Sequence, residues 1–298
     1  MDKDIITFTD LIINYEGIAP KKSKDYFSSI LPLNLESDLA CEFAYLIGKV
    51  MGDGHLDQLY TTRFISPDYK DLNSLRDLLI KKLNIEPFQM TIRKKFSKGQ
   101  AYVLQVNNSA FGRVLYALGA PKGNKTETEF LIPFWIRSCT KLSKYFLQAL
   151  LEDELTTIRT YDKAFVKSVR FNMNKSVSLK DSFGLFFDQL KDLIESFGVN
   201  CSKTSELKPQ DPNKTTYYFR IKSNKRNVIA FASRIGFRFN KNKVLHLQNT
   251  CKILKATLKP IIDTDEVLKL RNEGLSIRQI AIKLNVGNSR IHRILLKM

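Results

Sequence analysis

Two nine-residue stretches decide the fold: LIGKVMGDG at residues 46–54 and LQALLEDEL at residues 147–155. In the first stretch Gly48 and Gly52 lie four residues apart, which places both on one face of a predicted helix. Each glycine inside a helix costs about 1 kcal/mol relative to alanine, and the close approach of a second helix can offset that cost. The second stretch has the small Ala149 where the first has Gly48. We therefore expect two helices packed face to face, with these three small residues between them.

Both stretches have an acidic residue at their penultimate position, Asp53 in the first and Glu154 in the second. A carboxylate at the C-terminus of a helix meets the negative end of the helix dipole, so a cation is expected nearby. Two carboxylates brought together repel one another and form a site for a divalent cation. Such a metal ion can activate water and stabilise the leaving oxygen in phosphodiester hydrolysis. Asp53 and Glu154 are therefore the candidate catalytic residues and metal ligands, with Mg²⁺ as the expected cofactor.

The two stretches open two units that share one order of predicted elements: helix, strand, helix, strand pair and helix. The units begin about 100 residues apart, which indicates an internal duplication. The predicted divisions are an N-terminal extension with no assigned role (1–37), a first half (38–120), a linker (121–141), a second half (142–258) and a C-terminal helical module (262–298).

The chain is strongly basic, with 48 Lys and Arg against 30 Asp and Glu and a net charge of +18. Such an excess favours a polyanionic partner, because each neutralised phosphate releases condensed counterions. A membrane-surface protein would also be basic, but no Lys-rich amphipathic stretch with bulky apolar residues stands out. The sequence shows neither a secretory signal nor the run of roughly 20 apolar residues that spans a bilayer. We expect a nucleic-acid partner and a cytoplasmic, nucleoid-associated protein.

The four cysteines do not form a metal-binding or disulfide pattern. Cys41, Cys139, Cys201 and Cys251 are widely scattered, and no two of them form a CxxC pair. Free thiols in a reducing compartment are therefore expected, rather than disulfides or a structural zinc.

Several predicted strands alternate apolar and polar residues, so that one face packs on the core and the other is polar and cationic. Arginine and asparagine on such a face can hydrogen-bond base edges, while lysine mostly contacts phosphate. The alternative is the solvated face that an antiparallel sheet commonly presents. The candidate nucleic-acid contacts on strands are Arg63, Thr91, Arg93, Lys95, Ser168, Arg170, Asn172, Arg220 and Lys222.

The two nine-residue stretches resemble the paired motifs of single-chain LAGLIDADG homing endonucleases, over roughly residues 38–258. The segment between them is also similar to the family, with G-x-P-x-G-x-K at residues 119–125 followed by I-P-x-W-I at residues 132–136. The stretch IGFRFNKNK at residues 235–243 is similar to the family's ending of the second half. The second motif departs from the pattern, because Leu155 stands where the family usually has glycine and two threonines follow it.

The resemblance implies an α+β fold of two pseudo-symmetric αββαββα halves that form a DNA-binding saddle, with strands in the major groove. It implies that Asp53 and Glu154 bind the metal. Enzymes of this family often place a lysine near the scissile phosphate. The sequence does not choose among the candidates Lys94, Lys95, Lys98 and Lys222.

The C-terminal stretch SIRQIAIKLNVGNSRIHRILLKM resembles the helix-turn-helix of resolvase-like and regulator proteins. The small Ala281 lies where two helices would cross, Val286 is the apolar residue of the turn, and the second helix starts at Asn288. A second helix of this kind enters the major groove. The alternative is a small helical bundle that contacts another protein. The candidate contacts on the recognition helix are Asn288, Ser289, Arg290, His292 and Arg293.

These features predict a site-specific, Mg²⁺-dependent double-strand DNA endonuclease that acts as a monomer with internal pseudo-two-fold symmetry. The alternative is a non-cleaving DNA-binding regulator on the same scaffold, which Leu155 and the fused helical module favour. A structural RNA-binding role ranks third. The sequence has neither an intein's nucleophile at its start nor His-Asn at its end, so a freestanding or intron-borne enzyme is expected.

Overall fold

An N-terminal helix and a small strand pair precede the first half. A computed structural model of the chain describes residues 5–7, 9, 21–97, 99–161, 165–166, 169–207, 211–258 and 262–296. Strand β1 (Ile5–Ile6) pairs antiparallel with β2 (Leu33–Asn34), and helix α1 (Lys21–Ile30) lies between them in sequence. The Tyr26 hydroxyl of α1 donates a hydrogen bond of 3.0 Å to the Leu83 carbonyl. This contact ties the extension to the first half.

The first half has the predicted αββαββα order. Its elements are α2 (Asp38–Met51), β3 (His55–Leu56), β4 (Thr62–Ser66), α3 (Tyr69–Leu83), β5 (Met90–Ser97), β6 (Gly99–Val106) and α4 (Ser109–Ala117). Helix α2 begins where the Ser37 side chain accepts a hydrogen bond from the Ala40 amide, and α4 begins with the same contact between Asn108 and Phe111. Side-chain caps of this type satisfy amides that have no partner within the helix.

The second half repeats this order with one additional strand. A short helix α5 (Phe134–Arg137) leads into it. Its elements are α6 (Thr140–Glu154), β7 (Thr160–Tyr161), β8 (Phe165–Val166), β9 (Val169–Ser176), α7 (Lys180–Ser196), β10 (Ser205–Leu207), β11 (Lys214–Ile221) and α8 (Lys225–Arg234). The sequence predicted one strand over residues 165–173, but the structure has two here, because β8 pairs with β7 and β9 pairs with β11.

The two main sheets share a strand order. The first sheet has the order β3-β4-β6-β5 and the second has β9-β11-β10, so β9 and β11 correspond to β4 and β6. In each half a long helix follows the first main strand, α3 in the first and α7 in the second, and packs on its sheet. On α7 the Phe187 ring lies 5.5 Å from that of Phe171 and 5.8 Å from that of Phe219. The predicted α+β class is confirmed.

The chain divides into two compact units, residues 1–253 and 254–298, and helix α9 (Lys241–Ala256) runs across the division. The second unit contains α10 (Thr264–Asn272), α11 (Ile277–Lys283) and α12 (Asn288–Leu295). Its buried core consists of Val267, Leu270, Ile280, Ala281 and Ile291. The small Ala281 therefore lies in the core of the three helices.

Within the described residues, every helix is too short or too polar to cross a lipid bilayer.

Candidate functional site

Helices α2 and α6 approach each other closely along the small residues expected between them. A Cβ atom added to Gly48 would lie 2.5 Å from the Phe146 carbonyl oxygen and 2.9 Å from the Ala149 Cβ. A Cβ atom added to Gly52 would lie 2.8 Å from a carboxylate oxygen of Asp153. Both glycines are therefore at positions where any side chain would separate the helices.

The same packing brings the two predicted acids to one place. Asp53 is exposed just beyond α2, and Glu154 is half-buried at the end of α6. Burial, followed by the charges of Asp53 and Asp153, raises the pKa of Glu154 to about 7. The Asp53 amide donates a 3.2 Å hydrogen bond to the carboxylate of Asp153, the residue before Glu154. Asp53 and Glu154 therefore lie at the same end of the helix pair.

A third acid, Asp153, connects the two helices within this site. Its carboxylate forms a buried ion pair with Lys49 and also accepts a 3.2 Å hydrogen bond from the Asp53 amide. Burial raises the pKa of Asp153 to about 6, although the charge of Lys49 opposes that rise. Burial also lowers the pKa of Lys49, but the charges of Asp153 and Glu152 outweigh it, so this pKa is raised. The pair is therefore a cross-helix charge contact.

Two buried lysines close the C-termini of the two helices. The Lys125 ammonium group donates to the carbonyls of Val50 (3.0 Å), Gly52 and Gly54 (2.7 Å). These carbonyls lie at the end of α2, where the helix dipole is negative. Burial lowers the pKa of Lys125, while the charges of Glu154 and Asp53 raise it.

Lys243 repeats this arrangement at the end of α6. Its ammonium group donates to the carbonyls of Glu152 and Leu155, the latter at 2.5 Å. The charges of Lys125 and Lys243 both lower the pKa of Glu154, against the larger effect of burial. The site thus contains one acid from each half and one capping lysine at the end of each helix.

The loop that leads into α9, the helix that carries Lys243, is held by Glu152. One Glu152 oxygen accepts three backbone hydrogen bonds of 2.7–2.9 Å, from the amides of Arg238, Phe239 and Asn240. The other oxygen accepts a hydrogen bond of 2.8 Å from the Tyr45 hydroxyl of α2. Four donors on one buried carboxylate offset the cost of its desolvation. Glu152 therefore fixes the approach of Lys243 to α6.

A second contact with α2 also holds this loop. The Arg238 guanidinium donates two hydrogen bonds, of 2.6 and 2.8 Å, to the Glu42 carboxylate of α2. Beside the same helices, a cavity of about 180 Å³ is lined by Lys49, Asp53, Asp153 and Lys243 among others.

The acid pair fits a divalent cation. In the described part of the chain, no group of three or more His, Cys, Asp or Glu side chains has metal-binding geometry. Mg²⁺ needs only one or two protein carboxylates, because water and phosphate oxygens complete its coordination. Burial and then the charges of Asp53 and Asp153 raise the pKa of Glu154, and a bound cation would relieve the repulsion among these carboxylates. Asp53 and Glu154 are the residues that would hold it.

The strand lysines considered for the scissile phosphate are described only in part. Lys94 on β5 and Lys222 after β11 are exposed. Lys95 lies within β5, but its side chain is outside the described residues, as is all of Lys98.

Three of the residues proposed from the sequence, Arg63, Thr91 and Arg93, share the polar face of the first sheet. Arg63 on β4, Gln105 on β6 and Thr91 on β5 are directly opposite one another, so their side chains share one face. Arg93 lies two residues beyond Thr91 and is exposed on the same face. The Arg63 side chain donates a hydrogen bond of 3.2 Å to the Gln105 side chain and forms a 3.1 Å ion pair with Asp57.

The second sheet has a matching polar face. Arg170 on β9 is directly opposite Arg220 on β11, and Asn172 is opposite Tyr218. Both guanidinium groups lie over the Tyr218 ring, at 5.6 and 5.4 Å from its centroid. The remaining predicted contact of this sheet, Ser168, lies outside the described residues.

In the second unit, the start and outer face of α12 are exposed. Asn288, Ser289, His292 and Arg293 are exposed, and Arg290 is partly buried. In the turn before α12, the amide of Val286 donates a hydrogen bond of 2.9 Å to the Ala281 carbonyl. Asn288, Ser289, His292 and Arg293 therefore occupy one accessible helix surface.

The sequence reasoning missed Lys49, Asp153 and the two capping lysines. Both capping lysines follow, within one short segment, a glycine of positive φ that ends a helix: Gly119 (φ 107°) before Lys125 and Gly236 (φ 71°) before Lys243. This repeated pattern lies in the two segments already noted for their resemblance to the family. This pattern of a helix-ending glycine followed by a lysine could have identified the two capping lysines from the sequence.

Comparison of the sequence with curated proteins finds relatives with unrelated names. The chain is 28% identical over 267 residues to the replication factor C small subunit of Methanocaldococcus jannaschii, covering 85% of this chain and 14% of that protein. It is 28% identical over 237 residues to DNA-directed RNA polymerase subunit Rpo1N of the same organism, covering 72% of this chain and 17% of that protein. It is 25% identical over 227 residues to the tRNA-splicing ligase RtcB of Pyrococcus furiosus, covering 72% of this chain and 23% of that protein. The chain spans less than a quarter of each relative. No family model matches it.

Comparison with solved structures finds similar folds at low sequence identity. A variant of I-DmoI in complex with its nicked target DNA and Mn has a TM-score of 0.44 and 15% identity, covering 67% of this chain and 97% of that chain. The N-terminal LAGLIDADG domain of DUF199/WhiA has a TM-score of 0.43 and 14% identity, covering 77% and 98%. These likenesses concern the course of the chain and say nothing about activity.

Proposed function

We propose that the protein is a DNA endonuclease of the LAGLIDADG type, which binds double-stranded DNA and hydrolyses its backbone with a divalent metal, Mg²⁺ being the expected ion. The observation that supports this most is the pairing of Asp53 and Glu154 at one end of two closely packed helices, each with its own lysine. One chain supplies both acids, so the enzyme would act as a monomer.

When bound between the acids, the metal would supply activated water and charge stabilisation for the leaving oxygen. The capping lysines act as fixed positive charges. Lys125 donates to three carbonyls, which requires all three hydrogens of the ammonium form, so it cannot serve as a base. Its charge and that of Lys243 favour the ionised form of Glu154, the form that binds a cation.

The charge on the sheets supports a polyanionic ligand. Arg170 and Arg220 are like charges in directly opposite positions, an arrangement that destabilises a sheet unless something compensates it. A phosphate backbone lying across this face would compensate it. The net charge of +18 points to the same kind of ligand.

The sequence relatives support a mobile module rather than a host-specific subunit. Matching segments make up 14%, 17% and 23% of three proteins with unrelated names. A genetic element that inserts into different host genes would have this distribution. The three-helix unit at residues 262–298 would add a second DNA reader to the module.

The second candidate is a regulator that binds DNA without cutting it. It is favoured by Leu155, a buried residue at the position where the first half has Gly54, and by the added three-helix unit. Incubation with genomic or random DNA and Mg²⁺, followed by mapping of breaks, separates the two candidates. Defined breaks that vanish in Asp53→Asn and Glu154→Gln support the endonuclease. Tight binding without breaks supports the regulator.

A further inference from the structure

A row of polar side chains crosses the first sheet and begins beside the candidate metal site. His55 on β3 is opposite Arg63 on β4, Arg63 is opposite Gln105 on β6, and Gln105 is opposite Thr91 on β5. His55 is only two residues from Asp53. The row therefore extends outward from the site on the uncovered face of the sheet, because α3 packs on the sheet's other face.

Gln105 holds two arginines of this face together. Its side-chain oxygen accepts a hydrogen bond of 3.2 Å from Nε of Arg63 and another of 3.0 Å from Nη2 of Arg93. Its Nε2 donates 2.7 Å to the Asn107 side chain, which fixes the orientation of the amide. One acceptor shared by two guanidinium groups keeps them side by side.

Asp57 completes the arrangement around Arg63. Its carboxylate accepts from the Leu59 and Thr61 amides (3.0 and 2.9 Å), so the acid is itself fixed by its own turn. Asp57 then pairs with Nη2 of Arg63 at 3.1 Å. The inner edge of the Arg63 guanidinium is thus committed to protein. Its outer edge, formed by Nη1 and Nη2, presents parallel N–H donors that these contacts do not use.

We propose that Arg63 and Arg93 each read a guanine in the part of the DNA target bound by the first half, and that Gln105 is their positioning residue. A fixed guanidinium edge matches the O6 and N7 acceptors of guanine in the major groove, the commonest specific contact of arginine. This inference rests on the proposed binding of double-stranded DNA and adds the base class that the first sheet selects.

The second sheet supports the assignment by contrast. There the two facing arginines lie over the Tyr218 ring rather than on a shared hydrogen-bond acceptor. A cation–π contact holds a guanidinium with less directional restraint than a hydrogen bond. Base preference is therefore concentrated in the first half of the target.

The test is selection of bound duplexes from a randomised pool by the full chain and by single variants. Arg63→Lys and Arg93→Lys keep the charge but lose the two-pronged donor edge. Each is expected to lower the preference for guanine at one position by about tenfold, and the two positions should differ. Gln105→Met should weaken both preferences together. Gln248→Met makes the same chemical change on an exposed site of α9 and should change neither.

The outcomes separate this inference from the proposed function. An unchanged selected sequence in both lysine variants would mean that the arginines contact phosphate, and the inference fails. Wild-type binding without any base preference overturns it as well, while DNA binding itself stands. If the wild-type chain retains no duplex at all, the proposed function fails first. Should Gln105→Met unfold in a thermal melt, the two lysine variants still decide the matter.

Discussion

The ammonium group of Lys49 on α2 and the carboxylate of Asp153 on α6 form an ion pair across the helix interface, with side chains only 8% and 5% exposed. The other oxygen of Asp153 accepts from the backbone of Asp53. The contact that joins the two halves is therefore also a contact with the candidate metal site. Stability and site geometry are coupled at this point.

Lys49→Met should lower the free energy of unfolding by about 3–5 kcal/mol, because it leaves the Asp153 carboxylate buried without its partner. Lys49→Met with Asp153→Leu should recover part of that loss, since neither charge then remains. Urea denaturation measures both. The exposed pair Lys141–Asp38 is the control, and Lys141→Met should cause no measurable change. Equal losses of stability in Lys49→Met and Lys141→Met would contradict a buried role for the Lys49–Asp153 pair.

Two alanine substitutions should have opposite signs. Gly48→Ala places a Cβ 2.5 Å from a backbone oxygen of α6 and should destabilise the protein by about 1–3 kcal/mol. Gly184→Ala on α7 meets only a Tyr217 ring atom at 3.8 Å and should stabilise by up to about 1 kcal/mol. Thermal melting of the two variants checks this. A neutral Gly48→Ala would mean that the helices are not in close contact.

Stability without metal should fall as the pH rises from about 4.5 through about 7. The folded protein holds the Glu154 proton more tightly than the unfolded chain, so ionisation in this window costs folding free energy, on the order of 3 kcal/mol. The raised pKa of Asp153 acts in the same direction. Chemical denaturation in EDTA over this pH range should show a smaller decrease of the free energy of unfolding with pH for Glu154→Gln than for the wild type. Identical pH dependences would mean that the Glu154 side chain lies in solvent.

DNA affinity should weaken steeply with salt. Neutralisation of several phosphates by lysine and arginine releases counterions, so the logarithm of the affinity falls linearly with the logarithm of salt concentration. The excess of 48 basic over 30 acidic residues is the reason for this expectation. Fluorescence anisotropy over a salt series measures the slope. A flat dependence would argue against DNA as the partner.

Removal of the three-helix unit should cost affinity more than catalytic rate. A tethered second reader raises the local concentration of the protein at its target. A chain shortened to residues 1–258 should therefore bind more weakly, with nearly unchanged single-turnover cleavage. Arg290→Ala and Arg293→Ala should each reproduce about 1–3 kcal/mol of the loss if they contact bases. Lys283→Ala on α11 is the control, and unchanged affinity in every case would identify a protein-contact bundle.

Local patterns in the sequence were sufficient for the elements and for the helix interface. The spacing of Gly48 and Gly52 and the alternation along β11 reflect periods of 3.6 and 2, which neighbours in sequence define. For this reason the helix, strand, helix, strand pair and helix of the first half were predictable, while the αββαββα order with its two-residue β3 was implied only by the family resemblance. The additional hairpin β7–β8 was not predictable, because strands of two residues leave almost no periodic signal.

The charge contacts within the site were beyond such reasoning. Lys125 contacts carbonyls more than 70 residues earlier, and Glu152 accepts from amides 86–88 residues later. Periodicity says which residues are buried, not which buried acid meets which returning loop. The sequence therefore favoured strand lysines for the site, while the lysines beside the acids come from the segments after α4 and α8.

Each helix takes its acid and its closing lysine from one continuous part of the chain, from α2 to Lys125 for the first helix and from α6 to Lys243 for the second, and this makes the halves exchangeable in principle. A chimaera joined within the linker after Thr128 would keep each acid–lysine set intact while changing the sheet, and thus the bases read on one side. Lys125 itself is held from the second half, because Lys175 of β9 donates to the carbonyls of Lys125 and Thr128. Any second half recruited for protein engineering must bring an equivalent of Lys175, or the first lysine loses its support.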